Sequence, residues 1–214
     1  MEIVYLGHSS FKIRGKTATV ITDPFSSQAT GFKFPKTEAD IVTISHRHED
    51  HNNIQAVTGN PFVVSGPGEY EIKGVSIFGF PSLHAVGRKE ENTIYLLETE
   101  NLRLCHLGDL GVLPDAKGVE EIIGVDILMI PVGGVYTIGP REATEVINKI
   151  APLIVLPMHF KAPHINESQF GRLATVEEFL TQMGAYARER LEKLSITKDK
   201  LPEETKVILL EKKT

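Results

Sequence analysis

The 214 residues are enough to bury a large hydrophobic core, and we expect them to form one domain over residues 1–214. With 41% hydrophobic and 24% charged residues, the composition is that of an ordinary folded protein and excludes a largely disordered one. The net charge of −5 gives no sign of a basic surface for nucleic acid, and no apolar run is long enough to span a membrane.

Cysteine content and the amino-terminal residues bear on the cellular compartment. The single cysteine, Cys105, excludes a disulfide framework within the chain. The first residues have a strand-like pattern and lack the basic and apolar regions of a signal peptide. We therefore expect a cytoplasmic protein with neither nucleic acid nor a membrane as partner. A homo-oligomer remains open.

The chain begins with β-structure. Short β-branched and aromatic runs at residues 3–6, 11–13 and 17–21 alternate with Gly and Asp-Pro turns, as in an antiparallel meander. Residues 26–37 have no clear period and predict a loop. Further strands are predicted at 41–44, 61–64, 74–80, 92–98, 102–106, 125–130, 153–156 and 206–211.

Two helices are predicted in the second half of the chain. Apolar residues at 143, 146, 147 and 150 recur at helical spacing within residues 140–150. A capping-box pattern at Thr175 and Glu178 opens a second helix that runs to about residue 184. The order of these elements predicts a sheet-rich α/β fold.

A dense group of metal-ligand residues follows the short, wholly apolar strand at 41–44. His46, His48, Asp50 and His51 form the pattern H-x-H-x-D-H within ISHRHEDHNN. A hydrated, charged loop would account for one histidine, but imidazole and carboxylate groups at this spacing are the ligands that zinc and similar ions prefer. The loop therefore predicts a metal site at a strand end.

Other candidate ligands also follow predicted strands. They are His84 after the strand at 74–80, Asp109 in His106-Leu107-Gly108-Asp109, and His159 after the strand at 153–156. Strand ends in layered α/β proteins commonly hold ligands beside an open crevice.

The ordered set of these residues resembles the metallo-β-lactamase-fold hydrolases. The segments LGHSSFKI, TDPF, GPGEYEIKGVSI, CHLGDLG, DILMIPVGG and VLPMHF extend the similarity to the small branch related to the ascorbate-6-phosphate lactonase group. The resemblance implies a four-layer αββα sandwich of two mixed β-sheets flanked by helices, with the site at one edge of the sheets.

The resemblance also implies how the ligands divide. His46, His48 and His84 would hold one metal, Asp50, His51 and His159 would hold a second, and Asp109 would bridge both. Two divalent ions would supply an activated bridging hydroxide, and Asp50, the expected catalytic residue, could orient it or take its proton. We expect Zn²⁺, with Mn²⁺, Ni²⁺ or Fe²⁺ as alternatives.

The expected activity is metal-dependent hydrolysis of a small ester, lactone or phosphorylated metabolite. A phosphodiesterase or nuclease of the same fold is the alternative enzyme, and a metal-binding protein without catalysis is the alternative outside enzymes. The substrate depends on loops at 24–37, 65–74, 85–91 and 160–174. Many relatives have Asp after the third histidine ligand where this chain has Ala85, which leaves the substrate open.

Several further residues allow two interpretations. His8 could bond a ligand or substrate, or be a turn histidine that bonds neighbouring backbone. Arg88, Lys89 and Asn92 could meet an anionic substrate group or be solvated. Gly133-Gly134 could bring backbone N–H groups to the substrate or form a plain turn. His106 and Cys105 are expected in the core, and His164 is expected in an exposed loop.

Overall fold

The computed structural model describes residues 1–84, 90–112, 116–184 and 187–213. Its strands are β1 Glu2–Gly7, β2 Ser10–Arg14, β3 Thr19–Thr22, β4 Thr37–Glu38, β5 Ile41–Ile44, β6 Val57–Thr58, β7 Phe62–Ser65, β8 Gly68–Ile72, β9 Val75–His84, β10 Glu90–Thr99, β11 Leu102–His106, β12 Ile127–Pro131, β13 Ile154–Met158, β14 Ala187–Leu191, β15 Leu194–Ser195 and β16 Lys206–Leu210. Its α-helices are α1 Ser27–Thr30, α2 Ala116–Ile122, α3 Pro140–Ile150, α4 Glu167–Phe170 and α5 Val176–Met183, with 3₁₀ turns at Ile54–Ala56 and Lys198–Lys200.

Two mixed sheets form the centre of the fold. The first has the strand order β15-β1-β2-β3-β5-β7, and the second has the order β14-β16-β13-β12-β11-β10-β9-β8. In the second sheet, β8, β9, β10 and β11 pair antiparallel, each with the next. Strands β11, β12, β13, β16 and β14 are parallel to one another. The short strands β4 and β6 pair separately.

Three apolar clusters show that the sheets and helices form four layers. The cluster between the sheets includes Ile3 and Phe11 from the first sheet and Leu104 and Met129 from the second. Successive side chains of a strand point to opposite faces, so neighbouring residues such as Cys105 pack instead against the helices. This arrangement confirms the predicted αββα sandwich, and it explains why the central strands are apolar on both faces.

The helices cover the outer faces of the sheets. On the second sheet, α3 and α5 contribute Val146, Ile147, Phe179 and Leu180 to the outer cluster. On the first sheet, aromatic residues from the segments after β3 and β13 fill the corresponding layer, including Phe25 and Phe170. No helix within the described ranges is both long and apolar enough to cross a membrane.

The main differences from the sequence prediction lie in short or peripheral elements. The predicted loop at 26–37 contains α1. Residues 68–72, within the loop expected at 65–74, form the edge strand β8, which pairs with β9. Strand β14 and helix α2 were not predicted.

Candidate metal centre

Parallel strands of both sheets end at one edge of the sandwich, and the candidate ligands follow four of them. The loop after β5 supplies the H-x-H-x-D-H group, whereas β9, β11 and β13 lead to His84, Asp109 and His159. The segments after β1, β3 and β12 surround them. Residues far apart in the sequence therefore meet because their strands end on the same side.

His46, His48 and His84 form the first group. Their candidate ligand nitrogens lie within 4.8 Å of one another. Nε2 of His46 is 3.1 Å from Nδ1 of His48, and the His84 ring centre lies 4.8 Å from that of His46. His48 is about half exposed at the cavity side, whereas His46 and His84 are buried.

Asp50, His51 and His159 form the second group, together with His8. One ligand atom from each of the four lies within 4.8 Å of the others. Nε2 of His8 is 2.9 Å from Oδ2 of Asp50, and the His8 ring centre is 4.3 Å from that of His159. His8 therefore contacts two of the predicted ligands.

Asp109 lies between the two groups. Its Oδ2 atom is 3.7 Å from Nε2 of His84, 3.3 Å from Nε2 of His51 and 3.2 Å from Nε2 of His159. The side chain is buried, with 2% of its surface exposed. One carboxylate oxygen thus faces a histidine of the first group and two histidines of the second.

The donor atoms in this cluster fit a metal ion. Among the described residues, no group forms a hydrogen bond of acceptable geometry with the buried Nε2 atoms of His51 and His159 or with Oδ1 of Asp109. Buried polar atoms are nearly always paired, so unpaired nitrogen and oxygen atoms on neighbouring ligand-type residues indicate a metal site.

Charge in the cluster leads to the same conclusion. Burial lowers the pKa of His51, but the charges of Asp109 and Asp50 outweigh it and raise that pKa well above its usual value. Burial opposes ionisation of Asp109, yet His159 and His51 hold its pKa well below the usual value. In the protein alone a protonated His51 supplies positive charge to these carboxylates, and a divalent cation bound there would take the place of that proton.

Two histidines of the first group, His46 and His84, are neutral in the protein alone. Burial, reinforced by the charge of His51, lowers the pKa of His46 to about 3. Burial also lowers the pKa of His84. Neutral imidazole is the form that binds metal, so these two side chains need lose no proton at neutral pH.

Asp23 orients one histidine of each group. Its Oδ2 accepts a hydrogen bond from Nδ1 of His51 at 2.8 Å and another from the Ser45 hydroxyl. The Ser45 oxygen in turn accepts from Nδ1 of His46 at 3.0 Å. Both rings are thereby fixed in the tautomer that leaves Nε2 free, which is the usual arrangement behind a metal-binding histidine.

Asp23 itself is not a ligand in this arrangement. Its Oδ1 accepts from the backbone N–H of Ser45 at 2.8 Å, so both carboxylate oxygens are already bonded. Its proximity to His46 and His51 is therefore that of an orienting group. From the sequence, Asp23 was expected only in an Asp-Pro turn. Its position directly after β3 could have indicated that it lies near the ligands.

His84 and Asp109 are held by backbone and amide groups. Nδ1 of His84 donates to the carbonyl of Tyr136 at 3.1 Å, which directs Nε2 toward Asp109. The amide oxygen of Asn92 accepts from the backbone N–H of Asp109 at 3.0 Å, and its Nδ2 donates to the carbonyl of Leu107. Asn92 is 1% exposed, so it holds this turn and is not available to a substrate anion.

The structure shows the surroundings of the other residues that the sequence singled out. The His8 side chain bonds Asp50 through Nε2, and its Nδ1 has no hydrogen-bond partner among the described residues. His106 is buried and its Nε2 donates to the carbonyl of Ser9, Cys105 is buried, and His164 is exposed, as predicted. Gly133 packs so closely on the His159 carbonyl that a Cβ atom would lie 2.1 Å from that oxygen. Ala85, Arg88 and Lys89 lie outside the described residues.

An open cavity of about 560 Å³ gives access to the cluster. Its described lining residues are His48, Asp50, His84, Glu90, Asp109, Val135, Tyr136, Thr137, His159, Gln169, Phe170 and Arg172. Of the loops expected to shape the site, 160–174 supplies Gln169, Phe170 and Arg172 and 85–91 supplies Glu90, whereas 24–37 and 65–74 supply none of these lining residues. The segment from Val132 to Gly139, which follows β12, takes their place.

Comparison with known proteins identifies the family of the chain. The model of the β-lactamase superfamily domain matches residues 2–159. A UPF0173 metal-dependent hydrolase of Thermococcus onnurineus is 30% identical in an alignment of 190 positions that covers 75% of this chain and 84% of the relative. A second UPF0173 metal-dependent hydrolase, from Pyrobaculum neutrophilum, is 26% identical over 89% of this chain and 95% of its own length.

Solved structures show the same fold. A structure from Thermotoga maritima, whose assignment as a Zn-dependent hydrolase of the metallo-β-lactamase superfamily is itself a prediction, superposes with a TM-score of 0.81. It is 35% identical and the match covers 98% of this chain and 97% of that one. The metallo hydrolase Igni18 of Ignicoccus hospitalis, 20% identical, has a TM-score of 0.61 over 86% of this chain and 91% of its own. The chain belongs to the metallo-β-lactamase superfamily and is a metal-dependent hydrolase of that superfamily.

Proposed function

We propose that this hydrolase binds two divalent metal ions, with Zn²⁺ preferred, and cleaves a small ester, lactone or phosphorylated metabolite. The observation that carries the proposal is the pair of ligand groups on either side of Asp109 at the floor of an open cavity. His46, His48 and His84 would hold one ion, and Asp50, His51 and His159 the other. Asp109 would contact both.

In this proposal the metal ions would activate the attacking water, and a protein side chain would accept its proton. When bound, such ions lower the pKa of a water molecule toward neutrality and polarise the oxygen under attack. Asp50 lines the cavity, with 15% of its side chain exposed, and its Oδ2 is held by His8. Its Oδ1 is the atom that would accept the proton of the attacking water. No serine or cysteine nucleophile is needed.

The charge of the chain supports a small substrate. The net charge of −5 does not favour a polyanionic partner, so we propose a metabolite and not a nucleic acid. The buried free thiol of Cys105 is compatible with the proposed cytoplasmic location. A homo-oligomer remains compatible with all of these observations.

Metal analysis and a substrate panel test the proposal. Protein purified without chelators should contain about two divalent ions per chain. Activity against one class in a panel of lactones, thioesters, carboxylic esters and phosphodiesters should disappear with a chelator and return with Zn²⁺ or Mn²⁺. Hydrolysis of phosphodiesters alone would favour the phosphodiesterase, and metal binding without any hydrolysis would favour the non-catalytic protein.

Asp50→Asn tests the proton-accepting role. A general base contributes about 10²–10⁴-fold to the rate, so kcat should fall by roughly 10³-fold while the far-ultraviolet spectrum stays unchanged. Glu49→Gln is the matched control, because Glu49 is the exposed neighbouring acid. Full activity in Asp50→Asn, or an equal loss in Glu49→Gln, would contradict the assignment.

A further inference from the structure

The cavity has two chemically different walls. Metal-ligand residues form one wall, with Glu90 beside His48. The other is formed by two segments, residues 132–139 after β12 and residues 160–174 after β13, which supply Val135, Tyr136 and Phe170 among others. A substrate whose reacting group lies at the metal ligands must place its remaining part against this second wall.

Arg172 is the one Lys or Arg among the described residues that line the cavity. Its side chain is exposed, and within the described part of the chain no carboxylate forms an ion pair with it. Other arginines on the surface do pair with acids, as Arg14 does with Glu2 at 3.0 Å. The guanidinium of Arg172 is therefore available to a ligand.

The backbone on both sides of Arg172 is anchored. The carbonyl of Gly171 accepts a hydrogen bond from Nζ of Lys161 at 2.8 Å, and the N–H of Ala174 donates to the carbonyl of Gly133 at 2.7 Å. Leu173, with 4% exposure, is part of the outer apolar cluster. The cation is thus presented from a fixed segment that is bonded directly to the neighbouring wall segment.

Apolar and aromatic side chains line the cavity together with Arg172. Val135 lines the cavity with 51% of its surface exposed. Its backbone has a φ of 64°, which a β-branched residue rarely adopts. The Tyr136 hydroxyl donates to the carbonyl of Gln169, which joins the two wall segments, and the Tyr136 and Phe170 rings lie 6.1 Å apart. These groups suit a short hydrocarbon portion between the reacting group and an anion.

We propose that Arg172 anchors the substrate through an anionic group, so that the substrates of this enzyme are small anionic esters or lactones. A guanidinium binds a carboxylate or a phosphate through two parallel hydrogen bonds, so either group on the substrate could bind Arg172 in this way. The proposal rests on the proposed hydrolase function and extends it from the reacting bond to the class of substrate. From the sequence, Arg88, Lys89 and Asn92 could meet an anionic group or be solvated; this proposal gives the anion-binding role to Arg172.

A matched pair of chromogenic esters tests the anchor. The mono-4-nitrophenyl ester of glutaric acid carries a carboxylate, whereas 4-nitrophenyl valerate has the same acyl length and no charge. Metal-loaded protein should prefer the anionic ester. Arg172→Gln should lower kcat/KM for that ester about 10–100-fold and leave the valerate within about twofold. Arg172→Lys should retain part of the preference.

Arg14→Gln is the control, because Arg14 is an exposed arginine at the end of β2 away from the site. It makes the same charge change and should alter neither ester. An equal loss for both esters in Arg172→Gln would show a structural role, and no loss would remove the anchor. Either result overturns the proposal.

Calorimetric binding distinguishes the anion and separates this proposal from the hydrolase proposal. Propyl phosphate and butyrate are titrated into metal-loaded protein and into Arg172→Gln. Weaker binding of propyl phosphate in the variant would indicate a phosphoryl substrate, and weaker binding of butyrate a carboxylate. Unchanged binding of both would overturn the anchor. If binding depends on Arg172 but no ester is hydrolysed, the anchor stands and the hydrolase proposal fails.

Discussion

Asp23 is the residue on which both ligand groups depend. One oxygen of this buried carboxylate accepts hydrogen bonds from His51 and from Ser45, and Ser45 orients His46. Asp23→Asn removes the charge and one of the two acceptor oxygens. Because loss of such an orienting group typically costs 10–100-fold in metal affinity, we expect zinc affinity to fall by about that factor. Competition with a chromogenic chelator measures it.

Asp126→Asn is the matched control for this variant. Asp126 is also a buried aspartate, but it accepts from the backbone of Arg103 and from Nζ of Lys198 at the opposite end of β12. The control should lower the free energy of unfolding and leave zinc affinity unchanged. Unchanged affinity in Asp23→Asn, or an equal loss in the control, would refute the orienting role.

At the residue scale, the sequence identifies local patterns better than contacts between distant segments. The group from His46 to His51 is visible because its members are neighbours. Asp23 resembles a turn residue because its partner His51 is 28 positions away. Arg172 gives no pattern at all, because its role depends on where the chain after β13 returns across the cavity.

The turn after β11 is the element that places Asp109. Gly108 has a φ of 55°, and a Cβ atom there would lie 2.3 Å from Oδ1 of Asn92 and 2.6 Å from Cβ of Ser45. Gly108→Ala must therefore combine left-handed strain with a clash in a packed interior. We expect it to lower the free energy of unfolding by about 2–4 kcal/mol and to weaken metal binding, as measured by urea denaturation and metal titration.

Gly124→Ala isolates the strain from the clash. Gly124 has a similar φ of 69°, but nothing lies within 4 Å of a Cβ atom built on it. This variant should lose only about 1 kcal/mol and bind metal normally. If the two alanine variants lost equal stability, close packing at Gly108 would not be the cause.

At the scale of elements, the buried strands were predictable and the edge strand β8 was not. Continuous apolar runs such as Ile41–Ile44 indicate burial on both faces, and the structure confirms this strand with the predicted bounds. Strand β8, at the edge of the second sheet, contains Gly and Glu with mostly exposed side chains. Its conformation results from pairing with β9, which no local pattern in residues 66–70 reveals.

At the scale of the whole molecule, the sandwich brings the ligands together because strands of both sheets end at the same edge. Four predicted strands end next to candidate ligands, so the sequence could place the site at one edge of the sheets. It could not give the shape of the cavity, because the second wall comes from residues 132–139 and 160–174, whose paths depend on tertiary hydrogen bonds such as Ala174 to Gly133. The substrate therefore had to be inferred from the structure.

Metal binding should also determine the thermal stability of the whole chain. The ligands come from both sheets, so a metal bound only by the folded state joins the two halves of the sandwich. At a free metal concentration about 1,000 times the Kd, the stabilisation is about 4 kcal/mol. For a chain of this size we therefore expect Tm to fall by roughly 8–16 °C when a chelator removes the metal, as measured by differential scanning calorimetry.

Asp109→Asn distinguishes metal-dependent stability from a general effect of the chelator. Asp109 lies within 3.7 Å of a histidine from each ligand group, so replacing its charge should remove most of the difference between the Tm values with and without chelator. The same chelator should leave the Tm of this variant nearly unchanged. If the metal-loaded parent chain showed the same Tm before and after chelation, the metal would not link the two sheets.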